Sequence, residues 1–237
     1  MMKMFLAGVV STLLMATAAQ AAEPVKIALI DPLSGPMAAA GQPAYEHLKF
    51  AAERINANGG MNGHPVEIVG LDNKLSPQES LVQLQKAMDD GVDFITQGNG
   101  SAVASALIAS IEKHNRRNPG EERLFLNYAA VDPAFTNERC SFWHFRFDAN
   151  SDMKMNALTD YLADQKNIKK VYLVNQDYSH GHSVSKQARR MLKEKRPDIE
   201  VVGNDFHPLA KVKDFTPYIS KIQASGADAV ITGNWGQ

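Results

Sequence analysis

Across 237 residues, 25 Lys and Arg stand against 26 Asp and Glu, a net charge of −1 with histidine neutral. That balance offers no field for nucleic acid or an anionic membrane as partner. The single cysteine, Cys140, rules out an internal disulfide, so packing alone must hold the core. Residues 1–21 combine Lys3, a short apolar run through Leu13-Leu14-Met15 and a small-residue site at Ala19-Gln20-Ala21. This is the pattern of a secretory signal cleaved after Ala21. Ser11, Thr12, Thr17 and Gln20 interrupt a stretch already too short to span a bilayer. The mature chain is predicted to be a soluble exported protein, and loss of Lys3 takes its net charge from −1 to −2.

Taken in order, the mature chain alternates between two periodicities. Val25 to Ile30 is a short apolar strand, broken by Asp31-Pro32-Leu33-Ser34-Gly35-Pro36. Ala44, Leu48, Ala51, Ala52 and Ile55 recur at helical spacing, which predicts a helix over 43–57 with Pro43 in its first turn. Asn58 to Gly63 ends it, and a strand follows over 64–70. Ser76-Pro77 opens a helix carrying Leu81, Leu84, Ala87 and Met88, which leads to a strand at Phe94. A helix from Ser101, a polar loop over 114–122 and a strand over 124–128 come next. Arg116-Arg117 in that loop reads as a solvated face. Phe142 to Phe147 is an aromatic-rich strand, and Ser151-Asp152 caps a helix to about Asp164. The remaining elements are a strand over 171–176, a basic helix, a strand over 200–204, a helix opened by Asp214 and a strand over 229–233. Strands alternating with helices imply right-handed crossovers and mostly parallel sheets covered on both faces.

Ligands of open α/β sheets settle beyond the carboxyl ends of strands. The clearest such end is Phe94-Ile95-Thr96-Gln97-Gly98-Asn99-Gly100-Ser101, a strand, a glycine turn and a helix start. Free N–H groups and the helix dipole there favour a small anion, and the Ser101 hydroxyl adds a donor. The alternative is that Ser101 only caps its helix. Val103 stands where a dinucleotide fingerprint needs its third glycine, and no Gly-Lys-Ser/Thr follows for a P-loop. His180 and His182 flank Gly181 near Asp177, without a specific metal spacing. Ser101 lies in no Gly-x-Ser-x-Gly elbow and Cys140 has no identified base, so an enzyme is not expected.

Asp31 to Pro36 with Gly41, Ile55 to Gly63, Ser76-Pro77-Gln78-Glu79, Gly100-Ser101, Tyr128-Ala129-Ala130, Phe145-Arg146 and Asp177 to Gly181 stand in an informative order. Together they resemble the periplasmic branched-chain amino-acid-binding proteins, the solute-binding components of ABC uptake systems. The resemblance implies a two-lobed type I periplasmic-binding-protein fold of parallel sheets flanked by helices. It divides the chain into a signal over 1–21, a first lobe over 22–147 and a partial second lobe over 148–237. It also implies a periplasmic location, a permease partner, a monomer when full length and no cofactor or metal. Gly98 to Ala102 and Tyr128 to Pro133 would line the first lobe's half of the cleft, and Asp177 to His182 the second lobe's half. Ser101, with Ala102 beside it, takes the position that holds the ligand carboxylate. Ala129 takes the one whose carbonyl receives the ammonium.

Several positions depart from the resembled pattern. Val131 replaces the threonine that serves the ammonium, Ala40 an aromatic side-pocket residue, Asn99 a leucine, and His180 a tyrosine. Gly100 and Leu75 stand where the half-cystines would fall. His180 is expected as a cleft donor or stacking ring, Tyr178 as a cleft wall or as helix-start packing. Asp132 is either an acidic partner for an ammonium or a turn residue before Pro133. The expected ligand is a branched-chain or related amino acid; an aromatic or other non-amino carboxylate is the alternative, and a sensor of the same fold is a third reading. The resembled proteins continue beyond the position of Gln237, where their acidic ammonium partner lies. The sequence is therefore expected to be truncated.

Overall fold

The computed structural model describes residues 22–236; the predicted signal segment lies outside the described residues. Eight strands form two all-parallel sheets. The first holds β1 (Val25–Asp31), β2 (Val66–Asp72), β3 (Phe94–Gln97), β4 (Leu124–Asn127) and β5 (His144–Arg146) in the order β2-β1-β3-β4-β5. The second holds β6 (Lys170–Gln176), β7 (Glu200–His207) and β8 (Ala229–Ile231) in the order β7-β6-β8. Crossovers are made by α1 (Ala38–Ala57), α2 (Pro77–Asp89), α3 (Ser101–Arg117), α4 (Ser151–Asp164), α5 (Ser179–Lys195) and α6 (Thr216–Ser225).

Each sheet has its own core. Ile30, Leu84, Ile95, Leu107, Ile111 and Phe125 are buried in the first, and Val171, Leu173, Val184, Ala188 and Leu192 in the second. Phe125 is fully buried, with its ring 5.4 Å from that of His144. Phe125→Ala is expected to lower stability by about 3–5 kcal/mol, because the cavity adds to the lost transfer energy. A denaturant titration of parent and variant checks it.

Most element boundaries agree with the periodicity; β7 runs on to His207 beyond the expected 204, and β8 ends at Ile231 before the expected 233. α1 begins at Ala38, so Pro43 lies inside the helix instead of in its first turn. The start is earlier because Gly41 lets the helix lie on the loop after β1: a Cβ there would stand 2.1 Å from the Pro32 carbonyl oxygen. Ser76 does cap α2, its Oγ accepting from the Glu79 N–H at 3.3 Å with Pro77 next. The cap of α4 is Asn150, not Ser151, through a 2.9 Å bond from the Met153 N–H to its side chain. β5 is only three residues long and forms an edge, leaving Phe142 and Phe147 exposed. Among the described residues no helix is long and apolar enough to cross a membrane.

In both sheets the chain reverses its direction of winding about the first strand. The switch falls between β1 and β3 in one sheet and between β6 and β8 in the other. Such points open a crevice at the strands' carboxyl ends.

Candidate functional site

The first wall is the turn from β3 into α3. Gly100 has φ +96° and occupies the N-cap position, so Ser101 is the first helical residue and does not cap. Ser101 is 2% exposed as a residue and lines the cleft at the start of α3. Gly98 makes room for Tyr128: a Cβ there would stand 2.3 Å from its ring, which would have to shift. Leu75 packs against Gly100, so these two positions meet as an apolar contact.

Beneath the turn lies a residue that the sequence suggested only as a strand terminator. Asp31 is fully buried; its Oδ1 accepts from the Asn99 N–H at 3.1 Å and its Oδ2 from the Tyr128 hydroxyl. The Asn99 side-chain amide donates to the Tyr128 oxygen at 3.1 Å, closing the network. Burial pushes the Asp31 carboxyl up to about 6 against the lowering effect of these bonds. Asn127 holds the adjoining turn, accepting from the Ala129 and Ala130 N–H groups and donating to the Ala130 carbonyl. Val131 is buried, and its carbonyl accepts from the Ser151 N–H at 3.0 Å. Asp132 is a turn residue: it accepts from the Ala134 N–H at 3.0 Å and pairs with Arg139 at 2.8 Å.

The second wall stands on β6, α5 and the segment after β8. The Gly233 N–H donates to Asn175 Oδ1 at 2.8 Å, and Gln176 Nε2 donates to the Trp235 carbonyl at 2.6 Å. His180 Nε2 lies 2.9 Å from the Gly233 carbonyl. A carbonyl only accepts, so Nε2 carries the proton, and burial keeps the ring below the usual imidazole range. His180 therefore has no second N–H for a ligand, which corrects the expectation of a cleft donor. The Tyr178 hydroxyl accepts from Trp235 Nε1 at 2.5 Å. His182 pairs with Asp177 at 2.9 Å, and no cluster of three metal-ligating side chains occurs among the described residues.

Between the walls is a cleft of about 410 Å³. It brings together Asn99, Ser101, Ala129 and Val131 from the first wall with Tyr178 and His180 from the second. Ala102 is exposed and does not line it, and Ala40 borders a separate cavity beside Gly236. Two groups escaped the sequence reading. Thr232 to Trp235 follow β8, where the strand-end rule applied to the last strand would have found them. Asp148 and Lys154 also face the cleft, as an ion pair at 2.5 Å. Their spacing carries no motif.

A family model described as "Periplasmic binding protein" matches residues 24–237. The chain belongs to the periplasmic binding protein family. Its fold is the two-lobed type I fold of that family, as the sequence motifs implied. The Leu/Ile/Val-binding protein homolog 4 of Brucella abortus is 38% identical over 219 residues, 92% of this chain and 52% of that protein. A leucine-, isoleucine-, valine-, threonine- and alanine-binding protein from Brucella ovis, solved in a closed conformation, superposes with a TM-score of 0.78. It is 38% identical and matches 91% of this chain and 55% of that one. A solute-binding protein from R. palustris in complex with 4-hydroxybenzoate superposes at 0.75 with 22% identity, covering 90% and 54%, which shows the fold alone. This periplasmic binding protein chain spans about half the length of the curated relatives it matches.

Proposed function

We propose that this chain is the solute-capturing part of a periplasmic receptor for an ABC importer. Its lobes are 22–147 and 148–237, and its ligand is a small carboxylate. In this reading the first lobe takes the carboxylate on Ser101 and the first-turn N–H groups of α3. The second lobe then closes about a hinge, and the closed form docks on a permease. Ala102 contributes through its backbone N–H alone, and the Ala129 carbonyl is the acceptor for an ammonium. The observation that carries the reading is that the start of α3, with Gly98 to Ser101, opens into the cleft opposite Tyr178 and His180. The Leu/Ile/Val-binding relatives support a branched-chain amino acid as the ligand.

A second reading, a carboxylate without an ammonium, is favoured by one specific feature. Val131, apolar and buried, lines the cleft at the position where a hydroxyl would serve an ammonium. The test is calorimetric titration of the parent and Ser101→Ala with leucine, its deaminated analogue and benzoate. Ser101→Ala is expected to weaken whichever carboxylate binds by about 1–3 kcal/mol while unfolding remains unchanged. Equal affinities in parent and variant would remove Ser101 as a contact. Preference for leucine over its deaminated analogue would decide for the amino acid.

A further inference from the structure

The geometry points to Trp235 as the specificity-determining wall of the cleft, preset for a carboxylic acid that carries an aromatic ring. The inference rests on the proposed carboxylate reading and names the rest of the solute.

Trp235 lies beyond the last strand, on a segment with no regular structure of its own. A segment of that kind would ordinarily be mobile, and an indole on it would give up much freedom on binding a solute. Here four hydrogen bonds fix it in advance. Asn175 accepts from the Gly233 N–H, His180 donates to the Gly233 carbonyl, and Gln176 donates to the carbonyl of Trp235 itself. Tyr178 takes the indole N–H at 2.5 Å. All four partners come from the end of β6 and the start of α5, so the clamp is built on one rigid corner. Gly181 makes that corner possible, because the helix start lies directly on the Gln176 carbonyl.

The chemistry of the wall follows from the clamp. The indole has one polar atom, and Tyr178 satisfies it, so what remains for a solute is an aromatic surface that requires no further hydrogen bond. Gly233 meets Val184 so closely that a Cβ there would stand 2.6 Å from its side chain, which seats the segment against α5. Met155, Leu158 and Val184 add apolar lining beside it, and Ser151, Lys154, Thr232 and Asn234 add polar lining from the same lobe. A solute held at Ser101 by its carboxylate thus meets the face of Trp235 beside the apolar side chains of Met155, Leu158 and Val184. Aromatic rings pair with indole by offset or edge contacts beyond simple area burial, and a compact aliphatic chain does not.

The chain has two tryptophans, and Trp143 packs against the first core, away from the cleft. Trp143→Phe therefore leaves Trp235 as the sole reporter. Benzoate added to that variant is expected to change the tryptophan emission saturably, and leucine to change it less. In an otherwise native chain, calorimetry should show Trp235→Leu weakening benzoate by about tenfold or more, with little change for leucine. Tyr178→Phe keeps the ring but removes the acceptor of the indole N–H, and should weaken benzoate less than Trp235→Leu does. Unaltered benzoate affinity in Trp235→Leu, or no benzoate binding by the parent at millimolar concentration, overturns the proposal. The carboxylate reading fails separately: Ser101→Ala without effect, alongside a Trp235→Leu defect, would leave the wall standing and move the carboxylate elsewhere.

Discussion

Gly181→Ala is expected to lose about 3 kcal/mol or more of stability and to abolish the cleft's second wall, the largest effect anticipated for a one-carbon change in this chain. A Cβ at Gly181 would stand 1.9 Å from the Gln176 carbonyl oxygen, 2.9 Å from its carbon and 3.0 Å from its nitrogen. All three are backbone atoms of a strand paired on both sides, so neither rotamer change nor a small side-chain shift relieves the clash. α5 must lift from β6. Val184, Ala188 and Leu192, which that helix buries in the second core, would be displaced with it. The bonds from Asn175, Gln176 and His180 to residues 233–235 depend on the same corner. Thermal unfolding followed by circular dichroism, with the emission of Trp235 read in a Trp143→Phe background, checks both consequences. A variant with the parent's midpoint and emission would show that the corner yields without cost.

The second large effect is a pH dependence from Asp31. Burial raises its carboxyl from 3.8 in the unfolded chain to about 6 in the fold. Between those values the native state binds the extra proton, so stability falls as pH rises. The contribution is fully present below about pH 4 and lost as pH passes through about 6, and the shift corresponds to about 3 kcal/mol. The groups facing Asp31 are the Tyr128 hydroxyl just after β4, the Asn99 N–H after β3 and Asn73 after β2, whose N–H donates to the Asp31 carbonyl. Asp72, level with Asp31 on β2, is desolvated too, but Ser34 and the N–H groups of Lys74 and Leu33 hold it below the carboxylate range. It is thus already charged where Asp31 titrates. Asp31→Asn has no proton to exchange. Relative to the parent, it is expected to gain about 3 kcal/mol between about pH 4 and about pH 7, read by urea unfolding at several pH values. A difference between the two proteins that stays constant across that range would show that Asp31 remains ionised throughout. The same network holds Asn99, so ligand affinity in Asp31→Asn should follow the state of the turn.

What the sequence determined by itself was whatever depends on neighbours along the chain. Alternating apolar runs and helical periods placed every strand and helix of both sheets, and Gly98-Asn99-Gly100-Ser101 declared its turn because glycines and a strand end are local features. The family motifs reached as far as Asn99, Ser101, Ala129, Val131, Tyr178 and His180, all of which line the cleft. Local signals failed where a distant backbone set the outcome. α1 extends five residues before Pro43 because Gly41 packs on Pro32, and β5 shrinks to three residues because it is a sheet edge. Only the tertiary structure decided that Asp31 and Tyr128, 97 positions apart, share a proton environment under the turn from β3 into α3. It alone decided that His180 donates its proton to Gly233 and so cannot donate to a solute. It also made Trp235 a wall, by bringing the end of β8 beside the end of β6. The physical reason is the same in each case. Hydrogen-bond partners, burial and the resulting protonation are properties of pairs that folding brings together, and no spacing along the chain records them.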